Sequence, residues 1–193
     1  AARTHLVEAI AARDVRREYR ALVVGSMRAG GMIDLPIGRH PTQRTRMAVN
    51  PTGKTAVTHF RVLAHFRGHT LLKVVLDTGR THQIRVHLAH LRHAVFGDPV
   101  YGGRLRLPAG ASDSLKRVLR SFKRQALHAK RLEFAHPVSG KPMRFSCAIP
   151  KDMRAVIDAL ATDADVHWQD PDVDELSGFD QVDANDDYGD GFD

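Results

Sequence analysis

Two strand-like segments joined by a tight turn constrain the fold most strongly. Residues 55–66 alternate between polar and apolar side chains, and residues 70–76 are rich in Leu and Val. Both patterns are typical of β-strands. Arg67-Gly68 separates the segments, and glycine readily adopts the positive φ that hairpin turns require. The sequence therefore predicts an antiparallel β-hairpin over residues 55–76.

A helix is predicted soon afterwards, because the spacing of apolar side chains changes at His82. The following four side chains would share one face of that helix: Ile84, His87, Leu88 and Leu91. Thr81 is predicted to cap its N-terminus through the side-chain hydroxyl.

The rest of the chain gives interleaved strand and helix patterns. Strands are predicted at residues 18–25, 31–35, 45–49, 127–134 and 143–149, and helices at residues 115–122 and 151–160, with a first helix that ends near residue 10. Hairpins interleaved with helices indicate an α+β domain, whose largely antiparallel mixed sheet is flanked by helices.

The charged residues divide the chain into a basic body and an acidic tail. The whole chain has 29 Lys and Arg against 22 Asp and Glu, a formal net charge of +7. Residues 163–193 hold twelve acidic residues and no Lys or Arg, which leaves +19 on residues 1–162. We predict one domain over residues 1–162 and a disordered tail over residues 163–193. A body this basic predicts a nucleic acid as its partner.

The tail has two readings. It is an inert solubilising segment, or it lies on the basic body and competes there with RNA; the charge pattern favours the first.

Cys147 is the single cysteine, which excludes an internal disulfide and suits a reducing, cytoplasmic compartment. No apolar run is long enough to span a membrane.

The sequence contains little that indicates a cofactor or a metal site. The sequence has no Gly-x-Gly-x-x-Gly or phosphate-binding Walker loop and no Gly-x-Ser-x-Gly nucleophile. A histidine run, His82, His87, His90 and His93, raises a metal-dependent nuclease as one hypothesis. Because only His87 and His90 share a helix face cleanly, histidines with protein or RNA partners are favoured, and no metal or cofactor is predicted.

Residues 78–91 carry the most information about function. They place several polar groups where a strand passes into a helix, and helix N-termini attract anions. Arg85 lies near an apolar face, where a cation needs an acidic or phosphate partner. No acidic residue stands beside it in the sequence.

Several spaced motifs resemble the RluA/RluD-type pseudouridine synthases. Residues 79–88, Gly-Arg-Thr-His-Gln-Ile-Arg-Val-His-Leu, and residues 97–102, Gly-Asp-Pro-Val-Tyr-Gly, are similar to the family's C-terminal signature. Residues 17–21, 39–49 and 127–137 fit further segments in the same order. The resemblance covers about residues 1–160 and is closest to the branch that modifies large-subunit ribosomal RNA.

The resemblance implies an activity that needs no cofactor or metal. Members of the family cleave the glycosidic bond of a uridine in RNA, rotate the base and rejoin it through carbon 5. Their catalytic aspartate lies in a His-Arg-Leu-Asp motif, which residues 1–193 do not contain. We therefore expect an N-terminally truncated catalytic domain, a monomer, that is inactive alone.

Three site residues carry over from the family. The resemblance implies that Arg85 pairs with the catalytic aspartate, that Tyr19 stacks on the flipped base, and that Leu132 lines the pocket. Core packing is the alternative for Tyr19 and Leu132. Basic residues predicted to contact RNA are Arg39, Arg44, Arg46, Lys54, Arg80 and His82.

Two other readings stay open. One is a non-catalytic RNA-binding module, or the remnant of an enzyme, that keeps the basic surface without the reaction. The other is that a different carboxylate acts as the nucleophile. Asp98, in a Gly-Asp-Pro turn, is better explained as a turn residue, and Asp77 at a strand end is also better explained as structural.

Overall fold

The computed structural model describes residues 9, 12 and 14–171. The predicted first helix lies almost wholly outside the described residues. The elements, in chain order, are β1 (Arg16–Val24), β2 (Gly31–Asp34), β3 (Ile37–Arg39), β4 (Met47–Val49), β5 (Val57–Phe66), β6 (His69–Leu76), α1 (Gln83–His90), α2 (Asp113–Ser121), β7 (Leu127–Ala135), β8 (Pro142–Ser146) and α3 (Lys151–Asp163).

One antiparallel sheet organises the described residues. Its six strands follow the order β2-β5-β6-β1-β7-β8, and β3 pairs with β4 in a separate two-stranded sheet. Every named pairing is antiparallel. The predicted α+β fold with a largely antiparallel sheet is therefore confirmed. The sequence pattern had not separated β3 as a strand.

The predicted hairpin forms between β5 and β6. Phe66 pairs with His69 across the turn, and Gly68 has a φ of 67°. The buried side chains of β6 include Leu72 and Val74, which are fully buried in the central core. Strand β1 pairs with the other edge of β6, so the hairpin occupies the middle of the sheet.

The N-terminus of α1 is formed differently from the prediction. Its cap residue is His82, which has a left-handed φ of 58° and no side-chain capping bond, so the assignment of Thr81 as the cap is wrong. Gln83 instead ties the start of the helix to the preceding loop, because its Oε1 accepts the backbone N–H of Arg80 at 2.9 Å. Leu91 follows the end of the helix and is 37% exposed rather than part of the buried face.

The folded body extends beyond the predicted boundary at residue 162. Helix α3 runs to Asp163, and Val166 and Trp168 pack against the core. Asp170 is buried, and its carboxylate contacts Arg20 and Lys130. These contacts hold residues 163–171, assigned to the tail, against the body. Residues 172–193 lie outside the described residues.

None of the helices that the structure describes has the length and apolar character needed to cross a membrane.

Candidate active site and RNA-binding surface

Buried polar side chains fix the N-terminal turn of α1 on strand β5. Gln83 Nε2 donates to Val57 O and to Thr58 Oγ1, at 2.9 and 3.0 Å. Thr78 Oγ1 donates to Gln83 Oε1 at 2.8 Å. His87 binds Thr58 Oγ1 through Nδ1 and Leu35 O through Nε2, both at 2.9 Å. Because each of these buried groups has partners, the helix is held rigidly.

Arg85 finds its partner thirteen positions along the chain, in Asp98. The guanidinium donates from Nε to Asp98 Oδ2 at 2.7 Å and from Nη2 to Oδ1 at 2.8 Å. The Arg85 side chain is 12% exposed and that of Asp98 is 0% exposed. Such paired, planar hydrogen bonds are among the stronger ones in proteins. The acidic partner missing beside Arg85 in the sequence is thus supplied by the Gly-Asp-Pro turn.

The turn holds the Asp98 carboxylate through backbone groups as well. Asp98 Oδ1 accepts the N–H groups of Val100 and Tyr101, at 2.9 and 3.0 Å. Burial would raise the pKa of Asp98, but the hydrogen bonds from Arg85, Tyr101 and Val100 outweigh burial and hold that pKa below its usual value. The prediction that Asp98 is a turn residue is confirmed.

Gly97 allows this turn to form, and its replacement tests the geometry. Gly97 has a φ of 71°, and a Cβ there would collide with Arg124 O. We expect Gly97→Ala to lower the free energy of unfolding by about 2 kcal/mol, from the left-handed backbone and the overpacking together. Urea unfolding followed by circular dichroism measures it. Gly103→Ala is the control, since Gly103 has a φ of 69° and no atom within 4 Å of its Cβ position. An equal loss in both variants would contradict the collision.

Tyr101 joins the turn to the loop before β4 and to α1. Its hydroxyl accepts the N–H of Met47 and lies 3.0 Å from His82 Nδ1. The guanidinium carbons of Arg46 and Arg85 lie 5.1 and 4.9 Å from its ring centre. Burial, and then the cation of Arg85, lower the pKa of His82. A neutral His82 ring can accept the Tyr101 O–H. We call Arg46, His82, Arg85 and Tyr101 the Tyr101 cluster.

A second site brings together Tyr19 and Leu132. Both residues line a cavity of about 380 Å³ between β1 and the β7–β8 hairpin. Tyr19 is half-buried and packs partly on the core, while Leu132 is 38% exposed. Phe145 and Cys147 contribute to the same wall. A planar apolar side chain beside an open cavity is suited to contact with a base.

Arg17 connects this cavity with the surface around Gly79. It lines the Tyr19 cavity, and a side chain on Gly79 would collide with its guanidinium. Its Nε and Nη2 atoms are buried and make no hydrogen bond within the part of the chain that the structure describes. Close approach of Arg17 therefore explains the glycine at position 79.

A third cavity, of about 450 Å³, gathers three of the predicted RNA-binding residues. Arg39, Lys54 and Arg80 line it, together with Gly79 and Thr81. Arg80 Nε donates to Thr55 O at 2.9 Å, which ties that side chain to the loop before β5. We call this the basic cavity. Because it shares Gly79 with the surroundings of Arg17, it adjoins the Tyr19 cavity.

Eight of the nine predicted site residues thus fall into three groups. Tyr19 and Leu132 share one cavity, three basic residues share the basic cavity, and Arg46, His82 and Arg85 surround Tyr101. Arg44 is exposed and its backbone carbonyl accepts a bond from Arg39 Nη1. The sequence reading missed Tyr101, although the family-like segment at residues 97–102 contains it.

The histidine run does not converge. His87 is buried in the α1 network, His82 contacts Tyr101, and His93 Nδ1 lies 3.0 Å from Val24 O. Across residues 9, 12 and 14–171, no group of three His, Cys, Asp or Glu side chains is arranged to hold a metal ion. His82, His87 and His93 thus have protein partners of other kinds, and His90 is exposed.

Comparison with known proteins agrees with the sequence motifs. A family model described as RNA pseudouridylate synthase matches residues 1–90. The chain is 57% identical over 163 residues to a Vibrio cholerae protein named Ribosomal large subunit pseudouridine synthase D, covering 84% of the chain and 50% of that protein. The Escherichia coli protein of the same name is 54% identical over 166 residues, covering 86% of the chain and 51% of that protein. The chain thus spans about half the length of these relatives.

Two solved human structures share the fold. RNA Pseudouridylate Synthase Domain Containing 1 superposes with a TM-score of 0.64 at 25% identity, covering 93% of the chain and 73% of that structure. RNA Pseudouridylate Synthase Domain Containing 4 also gives a TM-score of 0.64, at 23% identity, covering 81% of the chain and 66% of that structure.

Proposed function

Because the chain belongs to the RluA/RluD-type family of pseudouridine synthases, we propose that it is part of an enzyme that isomerises uridine to pseudouridine in large-subunit ribosomal RNA. The observation that carries this is the shared cavity of Tyr19 and Leu132, which are distant in sequence, beside a basic surface. The proposal includes a monomer that acts in the cytoplasm and needs no metal or cofactor.

Tyr19 would face the base of the target uridine. Its ring borders an open cavity, so a base turned out of the RNA stack can lie on it. Its hydroxyl can exchange a proton with the base during rotation and rejoining. Leu132 would supply the apolar wall on the other side.

Arg85 would hold the catalytic carboxylate. Asp98 uses only the Nε and Nη2 side of the guanidinium, and Nη1 makes no hydrogen bond within the described residues. A guanidinium has five N–H donors, so this second side can take another carboxylate. The fixed Arg85–Asp98 pair would keep that side correctly oriented. Asp98 would then be a positioning residue, and the reacting carboxylate would come from the family's His-Arg-Leu-Asp motif.

The experiment that tests this proposal is tritium release from ribosomal RNA labelled at carbon 5 of uridine. We expect release from a longer polypeptide in which the His-Arg-Leu-Asp motif precedes residues 1–193, and none from the 193-residue chain. Release in the presence of a chelator is expected, because no metal takes part. Release from the 193-residue chain alone would overturn the role given to the missing motif. RNA binding without release from either polypeptide would favour the non-catalytic binding module.

Tyr19→Phe separates stacking from proton transfer in the longer polypeptide. The ring remains, so we expect KM to change little, whereas kcat falls about 100-fold because the hydroxyl is lost. Tyr19→Leu, which also removes the aromatic face, should raise KM in addition. An unchanged kcat for Tyr19→Phe would remove the proton-transfer role, and an unchanged KM for Tyr19→Leu would leave Tyr19 with core packing alone.

Phosphate contacts in the basic cavity predict a defined salt dependence. Arg39→Gln with Lys54→Gln should weaken binding of single-stranded RNA and reduce the slope of log K against log salt concentration by about 1.4, or roughly 0.7 for each lost contact. Fluorescence anisotropy measures the slope. Arg28→Gln with Arg61→Gln is the control, since both arginines are exposed and neither lines the basic cavity. Equal slopes for the two variants would show that only net charge matters.

A further inference from the structure

A groove of about 600 Å³ lies behind the Tyr101 cluster. Its floor is apolar and includes Val24, Ala89 and Ala94, while Arg92, Arg104 and Arg106 lie along its rim. Volumes of this size are typical of sites for small ligands, at about 300 to 1,000 Å³. An apolar floor with a cationic rim can accept a base and the phosphates that flank it.

The rim arginines have no acidic neighbour that would neutralise them. Among residues 9, 12 and 14–171, no Asp or Glu lines the groove, and none of the three arginines has an ion pair or side-chain hydrogen bond. Asp98 is the nearest carboxylate in the turn, and Arg85 and two backbone N–H groups already occupy its oxygens. The groove therefore presents uncompensated positive charge.

The end of α1 accommodates an arginine where glycine is the usual residue. Arg92 N donates to Ala89 O and His93 N donates to Leu88 O, both at 2.9 Å. This is the Schellman arrangement, whose left-handed position favours glycine. Arg92 occupies that position with a φ of 65°. A bulky residue in this conformation costs stability, so a binding role for the Arg92 side chain is the hypothesis that Arg92→Gly tests below.

The same two hydrogen bonds reduce the repulsion that the C-terminal end of α1 would exert on a bound phosphate. The last turn of a helix carries partial negative charge on its free carbonyls. Here the carbonyls of His87, Leu88 and Ala89 accept N–H groups from Leu91, His93 and Arg92. The negative end is thus largely satisfied by backbone.

Tyr101 belongs both to the Tyr101 cluster and to the wall of the groove. The groove and the Tyr101 cluster are therefore adjacent. We propose that the groove binds a nucleotide of the substrate RNA outside the target uridine, with its base on the apolar floor and its phosphates on Arg92, Arg104 and Arg106. This inference rests on the proposed function, because it takes RNA as the partner.

The first test compares two triple variants of the 193-residue chain that remove equal charge. Arg92→Gln with Arg104→Gln and Arg106→Gln removes the rim. Arg117→Gln with Arg120→Gln and Lys123→Gln removes three exposed cations on and just after α2. With single-stranded RNA, we expect the rim variant to lower the slope of log K against log salt by about 2, and to bind roughly tenfold to a hundredfold more weakly near 0.1 M salt. The control should keep most of the original slope.

The second test uses Arg92→Gly. Because glycine suits the left-handed position, this variant should melt at a higher temperature than the original chain while binding RNA more weakly. A variant that bound RNA weakly because it was partly unfolded would melt at a lower temperature, not a higher one. Equal slopes for the two triple variants, or unchanged RNA affinity for Arg92→Gly, would overturn the groove while leaving the proposed function intact. If the original chain shows no salt-dependent RNA binding at all, the RNA partner itself is wrong and the groove proposal falls with it.

Discussion

Asp170→Asn is expected to lower the free energy of unfolding by about 4 kcal/mol. Asp170 lies 3.0 Å from Arg20 Nη2 and 3.3 Å from Lys130 Nζ, and the side chains of Arg20 and Lys130 are 0% exposed. Glu18 would still contact Arg20, at 2.6 Å, although it also pairs with Lys73, at 2.9 Å, whereas Lys130 would keep no carboxylate within the described residues. An unpaired buried cation is costly, because the protein interior solvates it poorly. Urea unfolding followed by circular dichroism measures the loss.

Asp158→Asn is the matched control for Asp170→Asn. Asp158 pairs with Arg154 within α3, and both side chains are more than a third exposed, so we expect a loss of stability below about 0.5 kcal/mol.

Two shortened chains test the same contacts in another way. A chain that ends at Asp165 should lose at least as much stability as Asp170→Asn, because it also lacks Trp168. A chain that ends at Pro171 should be as stable as the 193-residue chain. Equal melting temperatures for the two shortened chains would contradict the role of residues 166–171.

Asp98→Asn is expected to cost about 3 kcal/mol and to release Arg85 from its fixed position. Asp152 offers a control with the same pairing geometry, since Arg124 also donates from Nε at 2.7 Å and from Nη2 at 2.8 Å. The two pairs differ in exposure: Arg85 and Asp98 are 12% and 0% exposed, and Arg124 and Asp152 are 38% and 51% exposed. We expect Asp152→Asn to lower the free energy of unfolding by less than about 1 kcal/mol. Similar losses of stability for Asp98→Asn and Asp152→Asn would mean that burial adds nothing to the Arg85–Asp98 pair.

The pH dependence of Asp98→Asn follows from the direction of the pKa shift. The pKa of Asp98 is lower in the folded protein than in the unfolded chain, because its hydrogen bonds outweigh burial. A carboxylate of this kind stabilises the fold above its unfolded pKa of about 4, and that stabilisation is lost as the pH falls through its folded pKa. The difference in stability between the original chain and Asp98→Asn should therefore be constant above about pH 5 and shrink below about pH 4. A difference that grows on acidification would contradict the assignment.

Local sequence was sufficient for the central hairpin and for most helices. Residues 55–76 alternate and carry Gly68 at the turn, so local preferences and final pairing agree. The start of α1 was predicted less well, because Gln83 reaches back to Arg80 and sideways to Val57, and no capping pattern describes that. Strand β3 is only three residues long and is defined by its partner β4, which gives it no periodic signal of its own.

The candidate site, like the fold, was predicted only in part from the sequence. Arg85, Tyr19 and Leu132 were predicted as site residues from the resemblance of the motifs to the family, which requires only the sequence. Their neighbours were not, because Asp98 meets Arg85 only after the turn at Gly97 folds back on α1. Charge composition predicted a basic body, but the gathering of Arg39, Lys54 and Arg80 into one cavity depends on how β3 and the segment after β6 pack.

The sequence by itself determined that this chain builds a largely antiparallel α+β fold with a basic body, and it identified the family. Those properties follow from side-chain periodicity, charge and ordered motifs, which are local or additive along the chain. Only the tertiary structure decided which charges are buried together: Asp98 with Arg85, and Asp170 with Arg20 and Lys130. Burial is set by contacts between distant segments, and it turns an ordinary acidic residue of the predicted tail into part of the folded body.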